Sequence, residues 1–285
     1  MGGTQHGVRT EKTVRPDGAN WSVPCADGQA ISRAMEIPII IVSHRRAGCV
    51  TTHRYVENAS VCVPESQAAE YEKKHPDLPR LVHPDDVLGL PAKRQWIYKQ
   101  VGDVMMLDDD STGLFRRYQP RGRIRHFRLS PRRAWELIQA TAIAAREAGA
   151  FLFGFGSHTN PIACNFLSPI RLGGYSPGGA IGILAGSKLW WPTDTTLPID
   201  DYWICCLNAF YHRYAWYDER FAFGFRGTWV NAGGMAEFRS DEAEVRATEY
   251  LVQHFGAMIR PGQRKAISAK AGCRHRRGMR VPWKH

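Results

Sequence analysis

Four short apolar runs, separated by stretches with helical periodicity, constrain this chain more than any other feature. The first, "IPIIIVSHRR" (Ile37 to Arg46), is a continuous β-branched run that breaks into a polar loop, the pattern of a strand buried on both faces. "VTTHRYVENA" then reads as a short helix and "SVCVPE", from Ser60, as a second strand. "ESQAAEYEKKH" is a helix, with Glu65 and Ser66 near its start and lysines near its end. "LPRLVHP" is a third strand, Leu90 to Gln100 a helix with Pro91 in its first turn, and Asp103 to Leu107 a fourth strand. Strands and helices alternating at this spacing predict an α/β fold, a parallel sheet with crossover helices.

Ligands of such sheets gather outside the carboxyl ends of the strands. Two polar clusters fall at that edge: Ser43-His44-Arg45-Arg46 after the first strand and Asp108-Asp109-Asp110 after the fourth. Asp-Asp-Ser is ordinary turn chemistry, but three adjacent carboxylates repel one another, and a divalent cation is the usual compensation. Two chemistries place Asp-x-Asp there. In transfer from a nucleotide sugar the carboxylates hold Mn2+ or Mg2+, which bridges the diphosphate. In aspartyl phosphohydrolases the nucleophile motif has the letters of Asp108-x-Asp110-x-Thr112. That motif follows a first strand and needs a later Lys and Gly-Asp-x-x-x-Asp. Here three βα units precede it and the later acids lie in "LPIDDYW", so position favours sugar transfer.

The 38 Lys and Arg against 27 acids give a formal net charge of +11, which points to a polyanionic partner. Arg116, Arg117, Arg121, Arg123, Arg125 and Arg128 crowd one hairpin or loop, interleaved with Tyr118, His126 and Phe127, a composition that binds phosphate backbone and stacks on bases. Ser130 and Pro131 open a long helix ending near Gly149. "FLFGFGSHTNP" is a strand, "GGYSPGGAIGILAGSKLWW" strand and loop, and "FAFGFRGTWVNAGG" aromatic strand with glycine turns. "LPIDDYWICCLNAFYHRY" is a helix with two acids in its first turn, and Ser240 caps a last helix. The organisation is a flexible arm (1–35), one α/β domain (36–258) and a basic tail (259–285). No apolar run reaches the ~18 residues of a membrane span, and the start lacks the apolar stretch of a secretory signal. Seven scattered cysteines without a CxxC pair read as free thiols. The expectation is a cytoplasmic protein with no membrane insertion and no stable protein partner implied.

The ordered set "IPIIIVSHRR…VCVPESQAAEYEKKHP…LPAKRQWIYKQ…VMMLDDD…PIDDYWICCLNAFY…NAGG" resembles a GT-A glycosyltransferase. More narrowly, it is similar to the phage-type enzymes associated with DNA pyrimidine hydroxylases, over roughly Ile37 to Phe238. The resemblance implies a GT-A-like (Rossmann-like), mostly parallel central sheet with flanking helices. It also implies a nucleotide-sugar donor, a UDP-sugar first among them, Mn2+ or Mg2+, and 5-hydroxymethylcytosine or a related hydroxymethylpyrimidine in DNA as acceptor. Carried onto this chain, Asp108 and Asp110 would be the metal ligands, with Asp109 between them at the nucleotide sugar. Ser43 and Arg45 would line the nucleotide pocket, and Arg94 would contact donor phosphate or sugar. Asp200 and Asp201 match an acidic pair near the acceptor, with Asp201 preferred as the base. Asn231-Ala232-Gly233-Gly234 would be a close-approach loop, Gly233 and Gly234 lying by the sugar. His212, His254 and His275 are candidates for a third metal ligand. Arg116, Arg117, Arg121, Arg123 and Arg125 would contact DNA, and Trp190 and Trp191 are wedges or core. Two readings compete. A nucleotidyltransferase acting on sugar phosphates would need a Gly-rich loop where "SHRRAGC" has one glycine. A non-catalytic DNA-binding protein would keep the acids as structure.

Overall fold

The computed structural model describes residues 36–119, 126–165, 167–226, 234–263 and 275–280. Its strands are β1 (Ile39–Val42), β2 (Ala59–Pro64), β3 (Arg80–His83), β4 (Val104–Asp108), β5 (Ser111–Arg116) and β6 (Phe127–Arg128). They continue as β7 (Leu152–Gly156), β8 (Ile170–Arg171), β9 (Ala180–Ile183), β10 (Trp216–Phe225), β11 (Ile259–Gln263) and β12 (His275–Met279). The helices are α1 (Ala68–Lys74), α2 (Gly89–Val101), α3 (Pro131–Glu147), α4 (Asp200–Tyr211) and α5 (Asp241–Phe255).

β1 is an unbroken β-branched run because both of its faces are covered. Ile39 and Ile41 enter one core with Val61, Val63, Met105 and Leu107, which α3 closes through Ala134, Ile138 and Ala142. Ile40 and Val42 enter the other with Cys62, Val104 and Met106, closed by Ile97 of α2, Ile204 of α4 and Leu251 of α5. Fully burying one such side chain contributes about 1.5–3 kcal/mol, so this three-layer arrangement accounts for the central strands. The entry to β1 is fixed from α3: Gln139 accepts from the Ile37 amide (2.8 Å) and donates to the Ile37 carbonyl (3.1 Å).

The main sheet has the order β3-β2-β1-β4-β9-β7-β10-β5-β6, with β8 on β10. β1 pairs in parallel with β2 and β4, β2 with β3, and β7 with β10. β9 runs against both β4 and β7, and β5 against β10. The chain thus winds β1-β2-β3 one way and returns to place β4 on the other side of β1, a topological switch point. Register sets Val42 beside Asp108, so both polar clusters emerge side by side. β9 begins at this same edge, which brings its Gly-rich approach onto the acids.

Two readings of the sequence change. "VTTHRYVENA" forms only a 3₁₀ turn, Thr52–Arg54; Thr51 and Thr52 are bonded to the aspartate turn instead of to a helix. The segment read as a basic tail contains the β11–β12 antiparallel ribbon, which packs Ile259 and Met279 against the core. The N-terminal arm and most of the tail lie outside the described residues. No helix among the described residues is long and apolar enough to cross a membrane.

At the end of β3, His83 is buried, its Nδ1 donating to the Pro84 carbonyl (2.8 Å) while Nε2 has no partner. Burial, with Lys93 adding to it, pushes its pKa down to about 4. As pH falls the unfolded chain takes the proton first, near 6.5, so stability is lost between pH 6.5 and 4. Urea unfolding should show the wild type losing as much as about 3 kcal/mol more than His83→Asn between pH 7 and 4.

Candidate active site

The aspartate turn is satisfied from the loop after β1. The Thr51 and Thr52 amides donate to the Asp109 carbonyl (2.8 and 3.3 Å). The Thr52 hydroxyl donates to the Asp108 carbonyl (2.6 Å) and accepts from the Ser111 amide (3.0 Å). With the backbone so held, the three carboxylates take different roles. Asp109, 2% exposed, is a strut: it accepts from the Ser43 hydroxyl (2.6 Å) and from Arg46 Nη1 (2.8 Å). Ser43 gives its one proton to that carboxylate, so Tyr71 donates to Ser43 (2.7 Å). The Tyr71 oxygen in turn accepts the Arg46 amide (3.0 Å).

Asp108 and Asp110 line a cleft of about 770 Å3, within the ~300–1,000 Å3 of small-molecule sites. The Asp108 side chain is 39% exposed on the cleft side and enclosed elsewhere. Burial pushes its carboxyl up to about 7, Arg94 opposing and Asp110, Asp200 and Asp109 adding. Arg94, fully buried, joins the two acidic groups. Its Nη2 donates to Asp108 (3.3 Å) and to the Gly178 carbonyl, and its Nε pairs with Asp200 (3.0 Å). Its Nη1 and Nε have no hydrogen-bond partner, the Nε–Asp200 contact being an ion pair, although the residue lines the cleft. It is not the solvated helix face that an isolated arginine suggests.

The acidic pair of α4 divides. Asp200 is 5% exposed and committed to Arg94; burial raises its pKa, with Arg94 opposing and Asp201 adding. Asp201 is half-buried and opens on the cleft, accepting from the Tyr202 amide (2.8 Å) and from the Tyr175 hydroxyl. Glycines make this closeness possible: a Cβ on Gly178 would stand 3.2 Å from Asp201 Cβ, and one on Gly179 would enter the Phe225 ring.

Arg45 points to Glu237 (3.1 Å), while Arg46 faces the acids, its Nη2 3.9 Å from Asp110. Gly234 is placed by its amide on the His44 carbonyl (3.0 Å), at a positive φ of 58°. Gly233 lies outside the described residues, as do Arg121, Arg123 and Arg125. The sequence reading placed His44 and Arg46 at this edge without a role and missed Lys93 and Tyr175; all four line the cleft, and Lys93 Nζ donates to the Ser43 carbonyl (2.6 Å). His212 packs tilted on Phe151 and His254 edge-on to Trp203, neither lining the cleft, and the side chain of His275 is not among those described. Among the described residues, no three His, Cys, Asp or Glu side chains are grouped to hold a metal by themselves. A pair of carboxylates suits Mg2+ or Mn2+ that takes its remaining oxygens from phosphate and water.

Residues 37–234 match the family model of the TET-associated glycosyltransferases. The chain belongs to that family. It is a glycosyltransferase, which sets aside the nucleotidyltransferase and the non-catalytic reading. No curated protein matches the chain.

For this TET-associated glycosyltransferase, Arg117 is an interior residue. It is 3% exposed, paired with Glu219 and donating to the Ala163 carbonyl (2.7 Å), so an external phosphate does not reach it. Arg116 lies over Phe127 (4.5 Å) and Arg128 over Tyr55 (4.7 Å), with Phe127 48% exposed. Trp191 is core and Trp190 is exposed.

Removing Arg94 leaves the buried Asp200 carboxylate unopposed and takes away the cation that faces Asp108. Arg94→Ala should lose about 3–5 kcal/mol in urea unfolding, and adding Asp200→Asn should restore part of it. An unchanged midpoint would contradict the bridge.

Proposed function

We propose that this glycosyltransferase moves a hexose from a nucleotide sugar, a UDP-sugar first among the candidates, to a hydroxymethylated pyrimidine in DNA. The observation that carries the reading is the division of carboxylates in one cleft. Asp108 and Asp110 form one group at the end of β4, and Asp201 stands apart, screened from them by the Arg94–Asp200 pair. Asp108 and Asp110 would hold Mg2+ or Mn2+, which supplies charge stabilisation to the departing diphosphate. Arg46 and Arg94 bring positive charge to the same oxygens.

Asp201 takes the proton of the acceptor hydroxyl as its oxygen bonds to the anomeric carbon. The bond from that carbon to the phosphate oxygen breaks, and its electron pair leaves with the nucleoside diphosphate. A single displacement of this kind inverts the anomeric centre. The acceptor reading rests on the +11 charge and on the β5–β6 edge, where Arg116 and Arg128 lie over aromatic rings, pre-organised for phosphate.

The test is a mass-spectrometric screen of UDP-hexoses with Mn2+ or Mg2+ and matched duplexes containing cytosine, hydroxymethylcytosine or hydroxymethyluracil. A hexose-sized gain on a hydroxymethylated duplex is expected. EDTA should abolish it, and Asp108→Asn or Asp110→Asn should each lower turnover about 100-fold or more. Arg116→Ala and Arg128→Ala should each weaken DNA binding and reduce its salt slope by about 1. Donor hydrolysis without any gain on DNA would keep the donor and discard the acceptor.

A further inference from the structure

Tyr175 sits in the Gly-rich loop before β9, lines the cleft, and plays no part in the reaction as described so far. Its hydroxyl donates to Asp201 Oδ2, while the Tyr202 amide donates to Oδ1 (2.8 Å). We propose that Tyr175 is the positioning residue for Asp201, holding the carboxylate in the rotamer that faces the acceptor; this rests on Asp201 being the base.

The hold is enforced from three elements. The Tyr175 ring stacks on Tyr202 with centroids 4.6 Å apart and planes 33° from parallel. Next to it, the Ser176 amide donates to Cys205 Sγ (3.3 Å), pinning the loop to α4. Tyr202 is itself anchored from β12, donating its hydroxyl to the Arg277 carbonyl (2.7 Å), with the Arg277 guanidinium 5.4 Å from its ring. Arg277 is fixed by Glu244 and by the Pro198 carbonyl (2.9 Å). Burial, with the charge of Asp201 next, keeps the Tyr175 phenol protonated, so it stays a donor. A carboxylate on an open cleft would otherwise sample several rotamers, and a misplacement of about 1 Å costs on the order of 100-fold in rate.

The test uses Tyr175→Phe, which keeps the ring and its stack, Asp201→Asn, and the double variant. Each is assayed with a panel of UDP-hexoses, Mn2+ and a hydroxymethylcytosine duplex. Tyr175→Phe should lower kcat about 10-fold or more, leave donor and acceptor KM within about two-fold, and leave Tm nearly unchanged. The double variant should be no slower than Asp201→Asn, because the hydroxyl acts only through that carboxylate. Unchanged kcat, a loss seen only in KM, or losses that multiply would overturn the proposal. Full turnover in Asp201→Asn would remove the base on which it depends. A wild type inactive with every donor would remove the underlying function.

Discussion

The Arg94 guanidinium, buried between Asp108 and Asp200, is the interaction on which the site depends. It is carried by α2, and its partners come from the end of β4, the first turn of α4 and the backbone at Gly178. One positive charge thus ties together the two halves of the cleft. Burial raises the pKa of both acids even with Arg94 in place; without it both would move further toward their neutral forms, and a neutral carboxyl is a poor cation ligand. The cost of burying the arginine is offset by two carboxylates and a carbonyl, the condition under which such a group persists in an interior.

The rest of the site follows from where the sheet changes direction. Because β4 returns beside β1, the loop after β1 and the aspartate turn are neighbours, and Ser43, Tyr71 and Arg46 converge on Asp109. That strut sets the level at which Asp108 and Asp110 stand. The insertion of antiparallel β9 brings the Gly-rich loop to the same edge, and with it Gly178 and Tyr175. In the proposed reaction, the two faces of the Arg94 bridge would separate a donor region from an acceptor region.

Much of this was legible from the chain. β1 to β4, α1 and α2 follow from local apolar runs and from breakers such as Pro91, and their ends fall within a residue or two of those read, except that α1 begins three residues later, after a 3₁₀ turn at Glu65–Gln67. The Asp-x-Asp position was readable because it ends an apolar strand. What was not readable depends on contacts far apart in the chain. Nothing local says that Thr51 and Thr52 would serve the aspartate turn rather than a helix, or that Arg117 would turn inward to Glu219 while Arg116 stays on the surface. Arg46 rather than Arg45 faces the acids because Arg45 adopts a positive φ of 52°, which the letters do not announce. Tyr175 meets Asp201 across 26 residues, a pairing fixed only by the order of the strands.

We propose that Asp108 and Asp110 form the cation end of a nucleotide-sugar cleft bridged by Arg94. The most direct measurement is a crystal structure of the protein soaked with Mn2+ and UDP, read by the manganese anomalous signal. One manganese peak is expected within bonding distance of Asp108 and Asp110 carboxylate oxygens, beside the bound diphosphate, with Arg94 still between Asp108 and Asp200. Nucleotide bound with manganese elsewhere, or no manganese at these acids, would contradict it.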